Sequence, residues 1–393
     1  MELPVASRFD FNTIKQKKMT FRDISYDILR YDKSKLTNDN CSTLGMFRSV
    51  IYIDGRVVCF SPPKSISLDI FKTRVTPSSI VTIEEYVEGT MVNVFWSGSD
   101  WEIATRSSVG GNVSFFENIT ATETRKGKTF RQMFLDTINY HDADGVFFTV
   151  LANMPKTFCF SFVLQHPENK IVAPFTQPSL YLVKAYDISI DGHIFEIPNA
   201  DVVNKFPVWV KYPRAIDTDI CHIDNSNSIT TSSDDYTTVG AMIHGIDSIT
   251  HNTIRTKIRN PSYERIRRLR GNQPKLQFHY LMMRNEGNIA EYLKYYPEHC
   301  KMFSIYREQL QSFTKTLHNE YFSCYIKRQK PLKEYSLQYR THMFKLHELY
   351  KNQLSKINKI VNKNAVVDYV NTLPTELLMH SINYQNTHSF QAE

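Results

Sequence analysis

The residues best equipped for chemistry lie between Ile254 and Arg270, in the run Ile-Arg-Thr-Lys-Ile-Arg-Asn-Pro-Ser-Tyr-Glu-Arg-Ile-Arg-Arg-Leu-Arg. Ammonium and guanidinium groups at this density make a field suited to phosphates, for which affinity comes mainly from neutralised charge and released counterions. A solvated basic helix is the other reading of the same run. The wider charge balance sharpens the point: Asn252 to Lys351 carries twenty Lys/Arg against eight Asp/Glu, whereas the whole chain is only +7. The basic charge therefore belongs to the last third of the chain.

Other reactive side chains are less suggestive by their spacing. His342 and His347 are five apart, so one helical face does not offer both to a metal, and zinc is not expected. His166, beside Pro167, reads as a structural histidine at a strand end with contact to RNA as the alternative. Ser107-Ser-Val-Gly-Gly-Asn112 lacks the Gly-x-x-x-x-Gly-Lys order of a phosphate-cradling loop. The six cysteines (Cys41, Cys59, Cys159, Cys221, Cys300, Cys324) are scattered, which supports neither a disulfide framework nor a tetrahedral metal site. They are expected to be reduced thiols in a cytoplasmic or nuclear setting.

The elements that must position the basic run fall into two textures. From about Leu44 to Val210, short stretches rich in β-branched and aromatic residues alternate with Gly, Pro, Asp and Asn, as in Arg48-Ser-Val-Ile-Tyr-Ile, Met91-Val-Asn-Val-Phe-Trp and Thr157-Phe-Cys-Phe-Ser-Phe-Val-Leu. These predict strands, with hairpins at Asp54-Gly55 and Ser97-Gly-Ser-Asp100, so antiparallel sheet is favoured over βαβ repeats. Phe130, Met133, Phe134 and Ile138 share one face of a helix predicted over Lys128 to Tyr140, making this part α+β. Asp217 to Thr238 is polar and reads as a surface loop or insertion. After Asn272 the apolar period becomes 3.6, punctuated by Gly287, Pro297, Pro331 and Pro374, and predicts a helical domain whose Tyr292, Tyr295, Tyr296, Phe303 and Tyr306 form core.

At 393 residues, with 41% hydrophobic and 13% aromatic residues, the chain is globular over two to three domains of the usual ~150 residues. No run approaches the ~20 apolar residues of a membrane span, and no secretory leader is visible. The expected divisions are an N-terminal extension (1–43), a sheet-rich domain (44–275), a basic helical domain (276–370) and a polar, frayed tail (371–393).

Four segments in order resemble the ATP-dependent RNA ligase family, in the branch typified by the phage T4 RNA ligase 1 with relatives in large DNA viruses. Ile83-Glu-Glu-Tyr-Val-Glu-Gly-Thr-Met-Val-Asn-Val-Phe95 stands where such ligases have a strand, a Lys-x-Asp-Gly turn and a second strand. Trp101-Glu-Ile-Ala-Thr-Arg-Ser-Ser108 is similar to the next strand, which ends in Arg-Gly or Arg-Ser. Phe160-Ser-Phe-Val-Leu-Gln-His-Pro-Glu-Asn-Lys-Ile-Val172 with Leu180-Tyr-Leu-Val-Lys-Ala-Tyr186 resembles the Phe-x-Phe strand and its successors. Gly240-Ala-Met-Ile243, with Thr256-Lys-Ile-Arg259 and Tyr263, is placed like the last two nucleotidyl-transfer motifs. Upstream, Val58-Cys-Phe-Ser-Pro-Pro-Lys-Ser65 resembles the branch's Pro-Lys element.

The resemblance implies an antiparallel-sheet nucleotidyltransferase domain followed by an all-helical C-terminal domain, ATP and Mg²⁺ as cofactors, and RNA as the partner. In the family a lysine attacks the α-phosphate of ATP, which suits an amine whose pKa falls readily on burial. Here Tyr86 stands at that position. The carboxylate that helps hold the family's metal is replaced by Val239, before Gly240, and Ser161 replaces a Glu that contacts the nucleotide. Glu88, Arg106, Phe162, Lys184, Lys257 and Arg259 fall on nucleotide-binding positions. Arg265, Arg267, Arg268 and Arg270 are expected to extend Lys257 and Arg259 as one basic RNA-binding face, at the seam between the domains.

The implied function is a degenerate ligase that binds RNA ends without lysine adenylylation. Alternatives are an active ligase or RNA repair enzyme, with Lys64 or a Tyr86 adduct as the displaced nucleophile, and a scaffold subunit of an RNA-processing or transcription assembly. Relatives in large DNA viruses add a viral factory or virion to the expected settings.

Overall fold

The computed structural model describes residues 12–75, 81–115, 117–119, 124–217 and 235–385. The chain divides into two compact units, residues 1–115 with 127–270, and residues 116–126 with 271–393. The architecture is α+β, with every ladder between named strands antiparallel.

The first unit begins with a four-stranded sheet of β1 (Ile14–Phe21), β2 (Ile24–Tyr31), β3 (Val50–Ile53) and β4 (Arg56–Phe60), paired in chain order. The β3–β4 hairpin turns at Asp54 and Gly55, both at positive φ, as the sequence predicts. Helix α1 (Leu68–Arg74) follows, its first turn capped by the Ser67 hydroxyl, which accepts the Ile70 N–H. Strand β5 (Thr82–Glu85) leads through residues 86–89 into β6 (Thr90–Trp96), then β7 (Trp101–Thr105) and β8 (Ser108–Val109). Strands β9 (Glu117–Ile119) and β10 (Thr124–Lys126) form a hairpin belonging to the second unit.

Helix α2 (Phe130–His141) opens with a capping box between Thr129 and Gln132 and agrees with the predicted helix to within two residues at its start. Helix α3 (Val146–Asn153), β11 (Phe158–Gln165), β12 (Ser179–Ile188), β13 (Ile194–Ile197), α4 (Asn199–Val203), β14 (Gly240–Ile246), β15 (Thr253–Arg259) and α5 (Pro261–Arg270) complete the unit. Strands β13-β12-β11-β6-β7-β8 make a six-stranded sheet, and β15-β14-β5 a three-stranded one.

The two-residue period of the strands divides the six-stranded sheet between two cores. Phe160, Phe162, Leu164, Val92 and Val94 face α2, α3 and α4, whereas Phe95, Cys159 and Tyr186 face the four-stranded sheet. A third cluster joins α1 to the three-stranded sheet through Phe71, Ile83, Ala241, Ile243 and Ile258.

The second unit is helical: α6 (Leu276–Glu286), α7 (Ile289–Tyr295), α8 (Cys300–Tyr321), α9 (Leu337–Leu349), α10 (Lys363–Asn371) and α11 (Thr375–Ile382). Gly287 ends α6 in the left-handed region, and Pro374 precedes α11. Tyr292, Tyr296, Phe303 and Tyr306 are buried.

Three expected divisions differ from what is seen. Residues 14–31 are not an extension, because β1 and β2 are the first half of a sheet whose pairing β2–β3 buries Ile28, Leu29, Val50 and Ile51. The units part at 270/271 rather than 275/276. No break falls at 370, since His342 of α9 is hydrogen-bonded both to Tyr369 of α10 and to Ser381 of α11, each at 2.9 Å. Residues 218–234 of the polar loop and 386–393 of the tail lie outside the described residues.

Candidate functional site

A cleft of about 480 Å³ opens in the first unit where residues 86–89 carry the chain from the three-stranded to the six-stranded sheet. Two glycines shape that crossing. Gly89 sits at φ +148°, where a Cβ would lie 2.5 Å from the Leu164 carbonyl oxygen, and Gly240 at φ +133°, where it would lie 2.0 Å from the Ile258 carbonyl oxygen. The Gly240 carbonyl in turn accepts the Tyr86 N–H at 3.0 Å, fixing Tyr86 at the cleft wall.

Strand β15 supplies the charge. Its alternation sends Ile254, Thr256 and Ile258 into the core and leaves Arg255, Lys257 and Arg259 half-buried along the cleft. Arg255 donates from Nε to the Pro63 carbonyl (2.6 Å) and from Nη2 to the Pro62 carbonyl (3.0 Å), and the Ile66 N–H bonds the Arg255 carbonyl. This clamp holds the Pro-Pro-Lys element, so Lys64 enters the cleft with its ammonium donating to the Ser65 carbonyl at 3.0 Å.

Nine Lys/Arg side chains line the cleft (Lys33, Arg48, Lys64, Arg106, Lys184, Arg255, Lys257, Arg259, Arg267) against three carboxylates (Glu84, Glu85, Glu88). Lys184 is paired with Glu196 at 2.6 Å, and Arg259 with Glu264 at 2.8 Å. Among the described residues no ion pair is seen for Arg48, Lys64 or Lys257. The Arg259 Nε and the His244 Nδ1 are buried donor or acceptor atoms with no hydrogen-bond partner among the described residues.

The crowding shows in the titrations. Burial first, then Arg259, Lys64 and Arg48, bring Lys257 down to about 8. Burial lowers Lys64 as well, with Arg48 and Arg255 adding to it. Burial works the other way on the Tyr86 phenol, but Lys257, the Arg259 hydrogen bond at 3.4 Å and the charges of Arg259 and Arg48 outweigh it and bring the phenol to about 8. The Arg259 guanidinium also lies 5.6 Å from the centre of the Tyr86 ring. The site thus places an ionisable oxygen inside a cage of cations.

The sequence-predicted residues separate by what they touch. Tyr86, Lys64, Lys257, Arg259, Lys184, Arg106 and Arg267 all line the cleft. Arg106 lies at its rim, with its guanidinium 5.2 Å from the Tyr31 ring and Nε donating to the Arg48 carbonyl at 3.4 Å. Glu88 lines it too, but its carboxylate accepts the backbone N–H groups of Val172 (2.6 Å) and Ala173 (3.2 Å), so it ties the segment after β11 to the crossing. Burial nonetheless raises its pKa, those amides and Arg270 opposing.

Phe162 does not reach the cleft: its ring is fully buried on the opposite face of the sheet, 5.7 Å from Phe206, while the adjacent Val163 lines the cleft. Ser161 does lie on the cleft-ward face but is buried, donating to Asn93 Oδ1 (2.8 Å), whose Nδ2 donates to Ser61 (2.6 Å). Val239 is a buried part of the cleft wall.

The expected single basic face is not formed. Successive residues of α5 turn by about 100°, so Arg267 faces the cleft and is tied to Glu264, Arg265 and Arg268 are exposed, and Arg270 is buried with its guanidinium 4.6 Å from the Phe115 ring. Sequence reasoning missed Arg48 and Arg255 as cleft residues. The i, i+2, i+4 spacing of Arg255, Lys257 and Arg259 on a strand was the available signal for Arg255. Arg48 had none, since its place depends on β3 pairing with β2.

No family model matches the chain. Over 123 residues, 31% of this chain and 27% of the other protein, it is 26% identical to an RNA ligase of Rhodothermus phage RM378. The chain thus spans about a quarter of the length of that relative. Solved structures of similar shape include a putative ATP-dependent DNA ligase from Aquifex aeolicus (TM-score 0.37, 12% identity, 87% of this chain and 78% of that one). They also include an archaeal ATP-dependent RNA ligase (0.35, 10%, 68% and 62%) and a Naegleria gruberi RNA ligase variant with ATP and Mn (0.34, 10%, 63% and 76%). Over that stretch the chain is similar to an RNA ligase, in line with the resemblance read from its own motifs around Tyr86.

Proposed function

We propose that the cleft recognises the phosphate of an RNA end, in a ligase scaffold that has lost lysine adenylylation. The observation that carries this reading is a cleft lined by nine cationic side chains, of which Lys257, Arg259 and Arg48 act on Tyr86, the residue standing where the family's attacking lysine would be. Arg48, Lys64 and Lys257 carry no ion pair among the described residues, so each keeps its charge for an incoming anion, and Arg259 keeps a buried Nε–H for it.

The donor set also suits the triphosphate of ATP as a second occupant. It does not suit a metal held by the protein. Of the three carboxylates in the lining, Glu88 is committed to backbone amides and Glu84 to His244 at 2.9 Å, which leaves Glu85 alone, and Val239 contributes no oxygen. Mg²⁺ keeps several waters and enters such sites with substrate phosphates, so the cations of this chain are what hold the phosphoryl oxygens.

The reading is tested by comparing 5′-phosphorylated with 5′-hydroxyl RNA of one sequence by fluorescence anisotropy, beside intact-mass measurement after incubation with ATP and Mg²⁺ or Mn²⁺. A preference for the phosphorylated end that vanishes in Lys257→Ala/Arg259→Ala, with no added AMP, is the expected result. Equal affinity for the two ends overturns the recognition role. A specific observation favours one rival, an active enzyme: the phenol of Tyr86 is held at about 8 beside three cations, so part of it is phenolate at physiological pH. An AMP adduct mapped to Tyr86 or Lys64 would establish that rival.

A further inference from the structure

The helical unit has a second feature suited to RNA, and its case is independent of the cleft. Helix α8 ends in a π-helical turn, Phe322–Ile326, and α9 ends in another, Tyr350–Leu354. Such turns are rare, and they concentrate at functional sites. Here ring stacking joins the two. Tyr325 from the first turn lies 3.9 Å from His347, nearly parallel at 13°, and His347 lies 6.0 Å from Tyr350 of the second turn at 22°.

This stack differs from the core stack of Tyr292, Tyr296 and Phe303, which is buried. Tyr325, His347 and Tyr350 are each partly exposed, and two fully presented aromatics flank them. Phe344, one turn before His347 on α9, is 51% exposed, and Phe322, with the Lys327 ammonium 5.6 Å from its ring centre, is 42% exposed. A single exposed ring is ordinary, but exposed rings grouped beside a half-exposed stack make a patch of the kind that marks an interaction surface.

The surrounding charge says what covers them. From Phe322 to Lys363 there are ten Lys/Arg against two Asp/Glu, and nine of the ten are exposed, Lys327, Lys345, Lys351, Lys356 and Lys359 among them. Half-exposed rings interleaved with exposed cationic stems match a strand of nucleic acid, whose bases have apolar faces and whose backbone is anionic. A duplex hides its base faces, and an acidic peptide has few rings to stack. We propose that the face formed by the two π-helical turns binds single-stranded RNA, with bases stacked on the Phe344, His347 and Tyr350 side and the backbone held by the lysines.

The probe is a fluorescent oligouridylate bearing hydroxyls at both ends, which offers the cleft no terminal phosphate and so keeps this test apart from the cleft reading. Stacking on one ring accounts for roughly a tenfold change in affinity per base. Phe344→Ala and Tyr350→Ala are expected to weaken binding by about that factor, and Tyr350→Trp to retain it, which guards against a mere folding defect. Lys351→Glu/Lys356→Glu/Lys359→Glu should flatten the dependence of affinity on salt. Wild-type affinity in both ring variants overturns the proposal, as does equal competition by duplex RNA of the same length. So does loss of binding in Lys257→Ala/Arg259→Ala with the helical variants unaffected, which would assign this RNA to the cleft. No binding of the oligouridylate at all also overturns it and leaves the face to a protein partner.

Discussion

The two cationic regions of this protein carry their charge in opposite ways. In the cleft, Arg255, Lys257 and Arg259 are half-buried on a strand, the two arginines hydrogen-bonded into place; burial, with neighbouring cations, brings Lys257 to about 8, and those cations bring Tyr86 to about 8 against its burial. On the helical unit the lysines of residues 327–363 stand in solvent on long flexible stems. Burial makes charge directional and specific, at a cost in desolvation. Exposure makes it general, weaker per contact and sensitive to salt. A site for one terminal phosphate and a track for a flexible strand need these different kinds of charge.

The comparison breaks first at the cleft's backbone. Gly240→Ala places a Cβ against the Ile258 carbonyl at a φ only glycine tolerates, and should destabilise the first unit by about 3 kcal/mol or more. Thermal unfolding should show that loss while the helical unit's melting is unmoved. Next, Arg255→Met removes the donors to the Pro62 and Pro63 carbonyls and should cost about 2–3 kcal/mol in urea unfolding. It should also weaken binding of phosphorylated ends, because Lys64 loses its support.

The pH dependence sharpens the contrast further. Below about 8 Lys257 is a cation and Tyr86 is neutral; above it Lys257 is neutral and Tyr86 an anion, so the cleft loses positive charge on both counts as pH rises. Affinity for a 5′-phosphorylated end should therefore fall by roughly tenfold between pH 7 and 9. In Tyr86→Phe the fall should be shallower, and for the hydroxyl-ended oligouridylate on the helical unit it should be slight. A flat profile in the wild type would mean that neither group faces the bound phosphate. The smallest effect belongs to Arg268, which is 80% exposed and only 3.6 Å-paired with Glu264. Arg268→Ala should change stability by under ~0.5 kcal/mol and phosphate discrimination by less than about twofold.

Much of this arrangement was legible beforehand because it is local. Asp54-Gly55 reads as a hairpin from two residues, and Phe130, Met133, Phe134 and Ile138 mark the buried face of α2. The order of short motifs from Lys64 to Tyr263 located the cleft because they lie on or beside strands β5, β6, β11, β12, β14 and β15, which supply its lining. What failed was geometry across elements. Phe162 was placed at the nucleotide, although Phe160, Phe162 and Leu164 share a face and Val163 the other, so one of the two sets had to be core. The arginines of α5 were read as one patch, although helical rotation sends Arg267 inward and Arg268 out. The N-terminal strands were read as an extension because strongly polar β1 pairs only at its edge, and its half-exposed pattern hides the sheet it belongs to.

The clamp of Arg255 on Pro62 and Pro63 also bears on how the first unit is assembled in time. The clamp joins residues more than 190 positions apart, and β5 waits for β14, whose Ala241 pairs with Glu85 and whose His244 pairs with Thr82. Contacts that close such long loops form late, after the local hairpins of the four-stranded sheet have settled. A chain emerging from the ribosome therefore displays β1 to β4 and the Pro-Pro-Lys element well before β15 exists to complete the cleft. The cationic lining of the cleft is complete only when synthesis has passed Arg267, long after the first four strands have been made.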